Sequence, residues 1–199
     1  MDIISLAIVD IVGILAKYGY VMIFIFMFME SAYIPIPSEV IMPFSGYLAY
    51  IGSLNFFYAL AMGVMGNLFG SIFGYYVAYT IGEDKLISLG RYIFINKKEI
   101  EKAKKYFQRY GNTTIFFSRV LPAIRTYIAL PAGIYKINIY YYASLTFAGS
   151  LIWCTILEYL GYKLGNSWNL ILYSPLHTLL LIVALAFVIA IVYKIYKEN

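Results

Sequence analysis

Residues 112–136 read NTTIFFSRVLPAIRTYIALPAGIYK. Two arginines, Arg119 and Arg125, and two prolines, Pro122 and Pro131, interrupt a run otherwise rich in Ile, Phe, Leu and Ala. A helix that crosses a bilayer needs roughly 20 apolar residues, so two crossings need ~40. The block is far too short for two. Prolines in a helix interior break or kink it. The block therefore reads as a broken hairpin that enters and leaves the membrane on one face. Such re-entrant backbone is tolerated only where protein or a watery cavity surrounds it. Residues 18–52 share this character, with Glu30, Pro35, Pro37, Glu39 and Pro43 set in an apolar run.

Composition names the solvent. The chain has 199 residues, 62% hydrophobic and 13% charged, with a mean hydropathy of +0.77. Soluble domains carry about 45–50% apolar and about 25% charged residues. An ordinary cytosolic enzyme, a disordered tail, a collagen-like chain and a disulfide scaffold are all excluded. One cysteine, Cys154, forms no internal disulfide, and one histidine, His177, builds no His-rich metal site. No cofactor or metal is expected. The excess of 15 Lys and Arg over 10 Asp and Glu fits cytoplasmic retention of basic residues better than nucleic-acid binding. The N-terminus has no basic leader followed by a cleavage site, so the mature chain is expected to start near Met1.

The remaining blocks sort by length and charge. Residues 1–17 carry an apolar stripe (Ile4, Ile8, Ile11, Val12, Leu15) with Asp2, Asp10 and Lys17 outside it, which predicts an interfacial amphipathic helix. Blocks 54–82 and 139–164 are long enough to span, as is a C-terminal helix within 174–199. Residues 83–111 hold eight basic side chains and one helical face (Ile100, Ala103, Phe107, Tyr110), which predicts a basic loop with a surface helix. With both broken blocks re-entrant, eleven of the fifteen basic residues fall on the loop side, and Lys17 and Lys163 on the other. The loop and the C-terminus are therefore expected to be cytoplasmic.

The halves resemble each other at one constant spacing. Asn55 matches Asn138, Tyr58 Tyr141, Gly66 Gly149, Leu68 Leu151, Tyr79 Tyr162 and Gly82 Gly165. Repeat 1 is 18–82 and repeat 2 is 112–166, each a hairpin (18–52, 112–136) and a spanning helix. The expected fold is an all-α polytopic membrane protein. It is an inverted repeat of re-entrant helical hairpin plus transmembrane helix, with an extra C-terminal transmembrane helix. Inverted repeats are common in transporters, whose sites lie where interrupted helices meet. Gly63, Gly66, Gly70 and Gly74 form a small-residue ridge suited to close helix packing.

Four charges sit in the hairpins: Glu30 and Glu39 in the first, Arg119 and Arg125 in the second. Each costs about 2.5–3.5 kcal/mol near the bilayer centre. One reading is structural, with two buried ion pairs joining the halves. The functional reading assigns Arg119 and Arg125 to a phosphate headgroup, since Arg binds phosphate bidentately and stays charged. Glu30 and Glu39 then act as proton carriers, since a carboxyl in a dry cavity can take up a proton. Ser31, Ser38, Ser118, Thr126 and Tyr127 lie close by in sequence. Glu158, one turn before Lys163, reads as an interfacial residue; Asn67 and Asn112 read as packing and cap residues.

Ser118-Arg119-Val120-Leu121-Pro122-Ala123-Ile124-Arg125-Thr126 followed by Ala132-Gly133 resembles the R-x-x-P-x-x-R-[ST] … A-G pattern of the DedA family, also called the SNARE-associated or VTT-domain family. Glu30, Pro35-Ile36-Pro37-Ser38-Glu39 and Gly46 resemble its first half, and Gly149, Trp153, Gly161, Tyr162 and Gly165 its C-terminal part. The resemblance implies facing re-entrant hairpins and movement of undecaprenyl phosphate or a phospholipid across the cell membrane. It implies functional roles for Glu30, Glu39, Arg119 and Arg125, supported by Pro35, Pro37, Ser38, Pro122, Thr126 and Gly133. Some members carry Asp, at a different spacing, where this chain has Glu39.

A lipid flippase or scramblase able to couple to protons is thus expected, with a phosphate-bearing lipid and protons as partners and no nucleic acid. A homo-oligomer is left open. A proton-coupled small-ion antiporter and a non-transporting scaffold are the alternatives. An enzyme is not expected, because the chain has no DDxxD motif and no paired histidines.

Overall fold

The computed structural model describes residues 3–34, 36–82, 105, 115–116, 125 and 127–165, with side chains of the first helix from Asp10 onward. Pro35, Asn112, Ser118, Arg119, Pro122, Thr126, the C-terminal segment 174–199 and, apart from Lys105, the basic segment 83–111 lie outside the described residues. Among the described residues six helices run in order: α1 (Ile3–Tyr18), α2 (Tyr20–Ser31), α3 (Ser38–Tyr50), α4 (Phe56–Ile81), α5 (Ala129–Ile134) and α6 (Ile139–Leu164). No strand occurs among them.

Two helices, α4 and α6, are long and apolar enough to cross a membrane, with 26 residues each. At 1.5 Å per residue they rise about 39 Å, beyond a hydrocarbon core of about 30 Å. Helices α2 and α3 have 12 and 13 residues and rise only about 18–20 Å. The long helices start alike. Asn55 accepts hydrogen bonds from the N–H of Phe57 (3.0 Å) and Tyr58 (3.3 Å). Asn138 accepts from Tyr140 (3.0 Å) and Tyr141 (3.3 Å). A side-chain oxygen at this position satisfies amides that the first turn leaves open.

The bundle packs small and polar residues inward and large apolar ones outward. Phe57, Tyr58, Met62, Met65, Phe69, Phe73 and Tyr76 of α4 are exposed, as are Tyr140, Phe147, Leu151, Ile152, Ile156 and Leu160 of α6. Asn67, Ser71, Thr146 and Ser150 are buried. In water this distribution would be costly; in lipid the outer face needs no other cover.

Helices α4 and α6 meet along that inner face. Ser150 donates its hydroxyl to Asn67 Oδ1 at 2.7 Å, from the equivalent position of the other half. The Tyr142 hydroxyl reaches the Ser71 carbonyl at 3.5 Å, and Tyr75 stacks on Tyr142 with ring centres 5.2 Å apart. Partners rise on α4 as they fall on α6, so the two helices run antiparallel.

Glycines allow the shorter helices to close on this pair. Helix α2 lies along α4, α5 along α4, and α3 along α6. A Cβ at Gly66 would meet the Phe24 carbonyl, and one at Gly70 the Phe28 carbonyl. A Cβ at Gly46 of α3 would meet the Glu158 carbonyl and stand 2.8 Å from the Tyr162 nitrogen. A Cβ at Gly133 of α5 would meet the Tyr75 carbonyl and stand 2.9 Å from the Tyr79 nitrogen. Tyr75 and Tyr79 are separated from Glu158 and Tyr162 by the same spacing that relates Asn55 to Asn138. Helices α3 and α5 thus each dock at equivalent points, on the long helix of the opposite half.

Gly70→Val is expected to cost about 1–3 kcal/mol through overpacking. Asn67→Ala is expected to cost about 0.6 kcal/mol, the mean for an interhelical hydrogen bond in lipid. Gly13, whose added Cβ would meet nothing within 4 Å, is the control, and Gly13→Ala should be neutral or stabilising by up to about 1 kcal/mol. Unfolding midpoints of the purified protein in detergent check the order Gly70→Val, Asn67→Ala, Gly13→Ala.

Candidate functional site

Glu30 lies in the last turn of α2, and the turn beyond that helix sets its surroundings. The chain turns at Tyr33, whose φ of 72° is in the left-handed region. It then straightens through Pro37, which precedes α3 with φ −79° and ψ 116°. Ser38 and Glu39 open α3. The Ser38 N–H donates to Glu30 Oε1 at 3.4 Å. Glu30 and Glu39 therefore both sit at the N-terminal end of α3, where the helix dipole favours negative charge.

Arg125 enters this corner from the second half. Its Nη2 donates to Glu30 Oε1, to Ser38 Oγ at 2.6 Å and to Glu39 Oε1 at 3.2 Å. The Trp153 ring of α6 lies 5.4 Å from its central carbon, within cation–π range. Arg125 is 5% exposed and Glu30 7%, whereas the Glu39 side chain keeps 30% of its surface open. Glu39 stands at the rim and Glu30 at the bottom. The bonding is uneven: Nη2 serves three acceptors, while Arg125 Nη1 and Glu30 Oε2 are buried with no hydrogen-bond partner among the described residues.

Of the charged residues expected to meet, the structure gathers Glu30, Glu39 and Arg125, with Ser38 between them; Arg119 lies outside the described residues. Gly133 packs on α4, against Tyr75, Ala78 and Tyr79. Asn67 is a packing residue, bonded to Ser150.

Glu158 is fully buried within the protein, which its sequence position alone does not foretell. The reason is Gly46, whose missing side chain lets α3 lie over it. Sequence position relative to Lys163 points to the surface, and only the packing of a helix from the other half of the chain covers it. Trp153 is marked in the sequence only through the family resemblance; a single Trp in an apolar helix carries no signal that a guanidinium will rest on it. Among the described residues, no three His, Cys, Asp or Glu side chains gather into a group able to hold a metal ion.

The VTT domain family model matches residues 36–163. The chain belongs to the VTT domain family. Its VTT-domain relatives include the Alkaline phosphatase-like protein of Lactococcus lactis subsp. lactis (strain IL1403), 32% identical over 94% of this chain and 92% of that protein. Undecaprenyl phosphate transporter A of Bacillus subtilis (strain 168) is 32% identical over 80% of this chain and 79% of its own. Protein DedA of Escherichia coli (strain K12) is 27% identical over 79% and 75%. No solved structure matches. The VTT-domain match covers Ser38, Glu39, Arg125 and Trp153 and begins just after Glu30. As a VTT-domain chain with two apolar spanning-length helices, it is a membrane protein.

Arg125→Ala is expected to destabilise by about 3–5 kcal/mol, because it leaves two carboxylates near apolar helices without their cation. Arg125→Ala combined with Glu30→Gln should recover part of that loss. Thermal unfolding in detergent checks both; equal midpoints for the single and double variants would show that Glu30 and Arg125 are not coupled.

Proposed function

We propose that this protein carries a phosphate-bearing lipid, such as a polyprenyl phosphate or a phospholipid, across the cell membrane, coupled to protons. One observation carries the reading: a buried arginine has one nitrogen crowded by acceptors and the other, Nη1, without any among the described residues. A phosphate needs an open donor of this kind and takes two N–H groups of one guanidinium. The name of the Bacillus relative, an undecaprenyl phosphate transporter, supports the same substrate class.

The roles follow from competition for one guanidinium. Glu30 and Glu39 hold Arg125 in the empty site. A headgroup phosphate that takes Arg125 strips Glu30 of its cation, and Glu30 then takes up a proton, since an unpaired carboxylate is expensive away from water. Loss of the headgroup reverses both steps. Arg119 is assigned to the same phosphate as its second arginine. Ser38 steadies the Arg125 side chain, while Pro35, Pro37, Pro122, Thr126 and Gly133 shape the hairpins. The chain acts as a carrier and not as an enzyme.

The architecture proposed with this reading is a pair of inverted repeats, each a re-entrant hairpin followed by a spanning helix. The short rise of α2 and α3 supports the first hairpin. The Asn67–Ser150 pair and the matched contacts of Gly46 and Gly133 support the two-fold relation. Lys and Arg asymmetry favours a cytoplasmic position for 83–111 and the C-terminus.

Flipping of a polyprenyl phosphate in proteoliposomes tests the reading. A hydrogen bond to a charged group contributes about 1.5–3 kcal/mol. Arg125→Ala and Arg119→Ala should therefore each slow flipping about ten- to a hundredfold, with Arg125→Lys intermediate. Glu30→Gln should fold and lose the pH dependence of transport. Unchanged flipping in both Ala variants would sink the mechanism, and ion flux without lipid movement would replace it with antiport.

A further inference from the structure

Glu158 has no place in the headgroup reading, yet it is the most enclosed acid among the described residues. It is 0% exposed, and neither Oε1 nor Oε2 has a hydrogen-bond partner among them. No described Lys or Arg lies within ion-pair distance. From one side α3 seals it, with Gly46 against the Glu158 carbonyl and the Pro43 carbonyl against Gly161, less than a turn further on. Helix α4 adds Ala59, buried in the same apolar cluster as Cys154 and Leu157, and Gly63, whose added Cβ would meet the Met42 side chain of α3; neither offers a side-chain donor.

The ionisable neighbours are few. On α6 itself, Cys154 lies one turn before and Tyr162 one turn after. Helix α3 contributes Glu39, Tyr47 and Tyr50, of which Tyr50 contacts Tyr162 edge-on at 5.8 Å. Helix α2 contributes Glu30, and Arg125 is engaged with Glu30 and Glu39. At the matching point of α4, in the other half, stands Tyr75. It is a neutral donor that gives its hydroxyl proton to the Ile137 carbonyl at 2.6 Å.

A carboxylate held away from water, donor and cation is penalised by several kcal/mol; the neutral acid is far cheaper to bury. We propose that Glu158 is a proton-binding site and that its bound proton keeps α3 closed on α6. Departure of the proton leaves a charge that must be hydrated, and water reaches it only if the α3–α6 seam parts. Closure is therefore complete at acid pH and is lost as pH rises through the titration of Glu158. Glu158 makes no hydrogen bond or ion pair with the Arg125 cluster among the described residues, and its protonation requires no particular cargo.

The chain supplies its own reporter. Cys154 is its single cysteine, fully buried in the same seam. Maleimide labelling of Cys154 is followed against pH in the purified full-length protein in detergent. Thiol attack requires the thiolate, so any cysteine labels faster as pH rises. Comparison with Glu158→Gln, which keeps a neutral side chain of the same size, removes that common trend; a carboxylate beside a thiol disfavours the thiolate, so a direct charge effect would slow the wild type, opposite to opening. Wild type and Glu158→Gln should label equally slowly at acid pH. From the ordinary carboxylate range up to the titration of the enclosed Glu158, the ratio of wild type to Glu158→Gln should climb by up to about tenfold per pH unit, the slope of a one-proton opening, and level off above it. Glu158→Asp should restore the divergence. Equal labelling of wild type and Glu158→Gln at every pH overturns the proposal, as does a divergence that follows sodium or potassium concentration instead of pH. Should Glu158→Gln fail to fold, infrared spectra decide. A carboxylic acid C=O band present at acid pH, lost at alkaline pH and displaced in Glu158→Asp supports the proton site, and its absence overturns it.

Discussion

Arg125 holds a permanent charge among apolar helices at 5% exposure, and the surrounding structure is arranged to make that charge tolerable. Glu30 comes from the end of α2, Ser38 and Glu39 from the start of α3, and the Trp153 ring from α6. A guanidinium is planar and directional, so these groups must converge within hydrogen-bond distance or leave charge unpaired. The bend between α2 and α3 is fixed by the same requirement, because Glu30 also receives the Ser38 amide. The hairpin is thus held at its tip by electrostatics and along its length by apolar contact with α1, α4 and α6.

Packing at the centre is governed by lipid as the solvent. Lipid-facing positions of α4 and α6 carry Phe, Tyr, Leu, Ile and Met, and the seam between them carries Asn67, Ser71, Thr146 and Ser150. In lipid there is no gain from burying a large apolar side chain between helices, so close approach and interhelical hydrogen bonds decide the contact. This inverts the pattern of a water-soluble bundle while obeying the same rule, that buried polar groups find partners.

Much of this is legible in the sequence, for a physical reason. Charge in an apolar run is expensive, so Glu30, Glu39 and Arg125 stand out by their cost alone. Asn55 and Asn138 are visible as a matched pair, one in each half, and the structure shows them to be equivalent helix caps. Asn67 and Ser150 share that spacing but differ in identity, so comparison by identity passes over the pair that touches. Glu158 and Trp153 are hidden for a different reason. Their surroundings are made by α3 and by Arg125, both remote in sequence, and a helix read alone does not show which of its faces will be covered.

The exchange of short helices between halves bears on how the chain is made. Helix α3 ends at Tyr50, and the helix it packs on begins at Ile139. At roughly 5–20 residues per second of synthesis, α3 exists for about 5–20 s before its partner emerges. Throughout that interval its glycine face and the acids at its tip have no native surface to meet. The first half thus enters the bilayer unfinished, and insertion machinery or lipid must shelter it until the second half completes both at once.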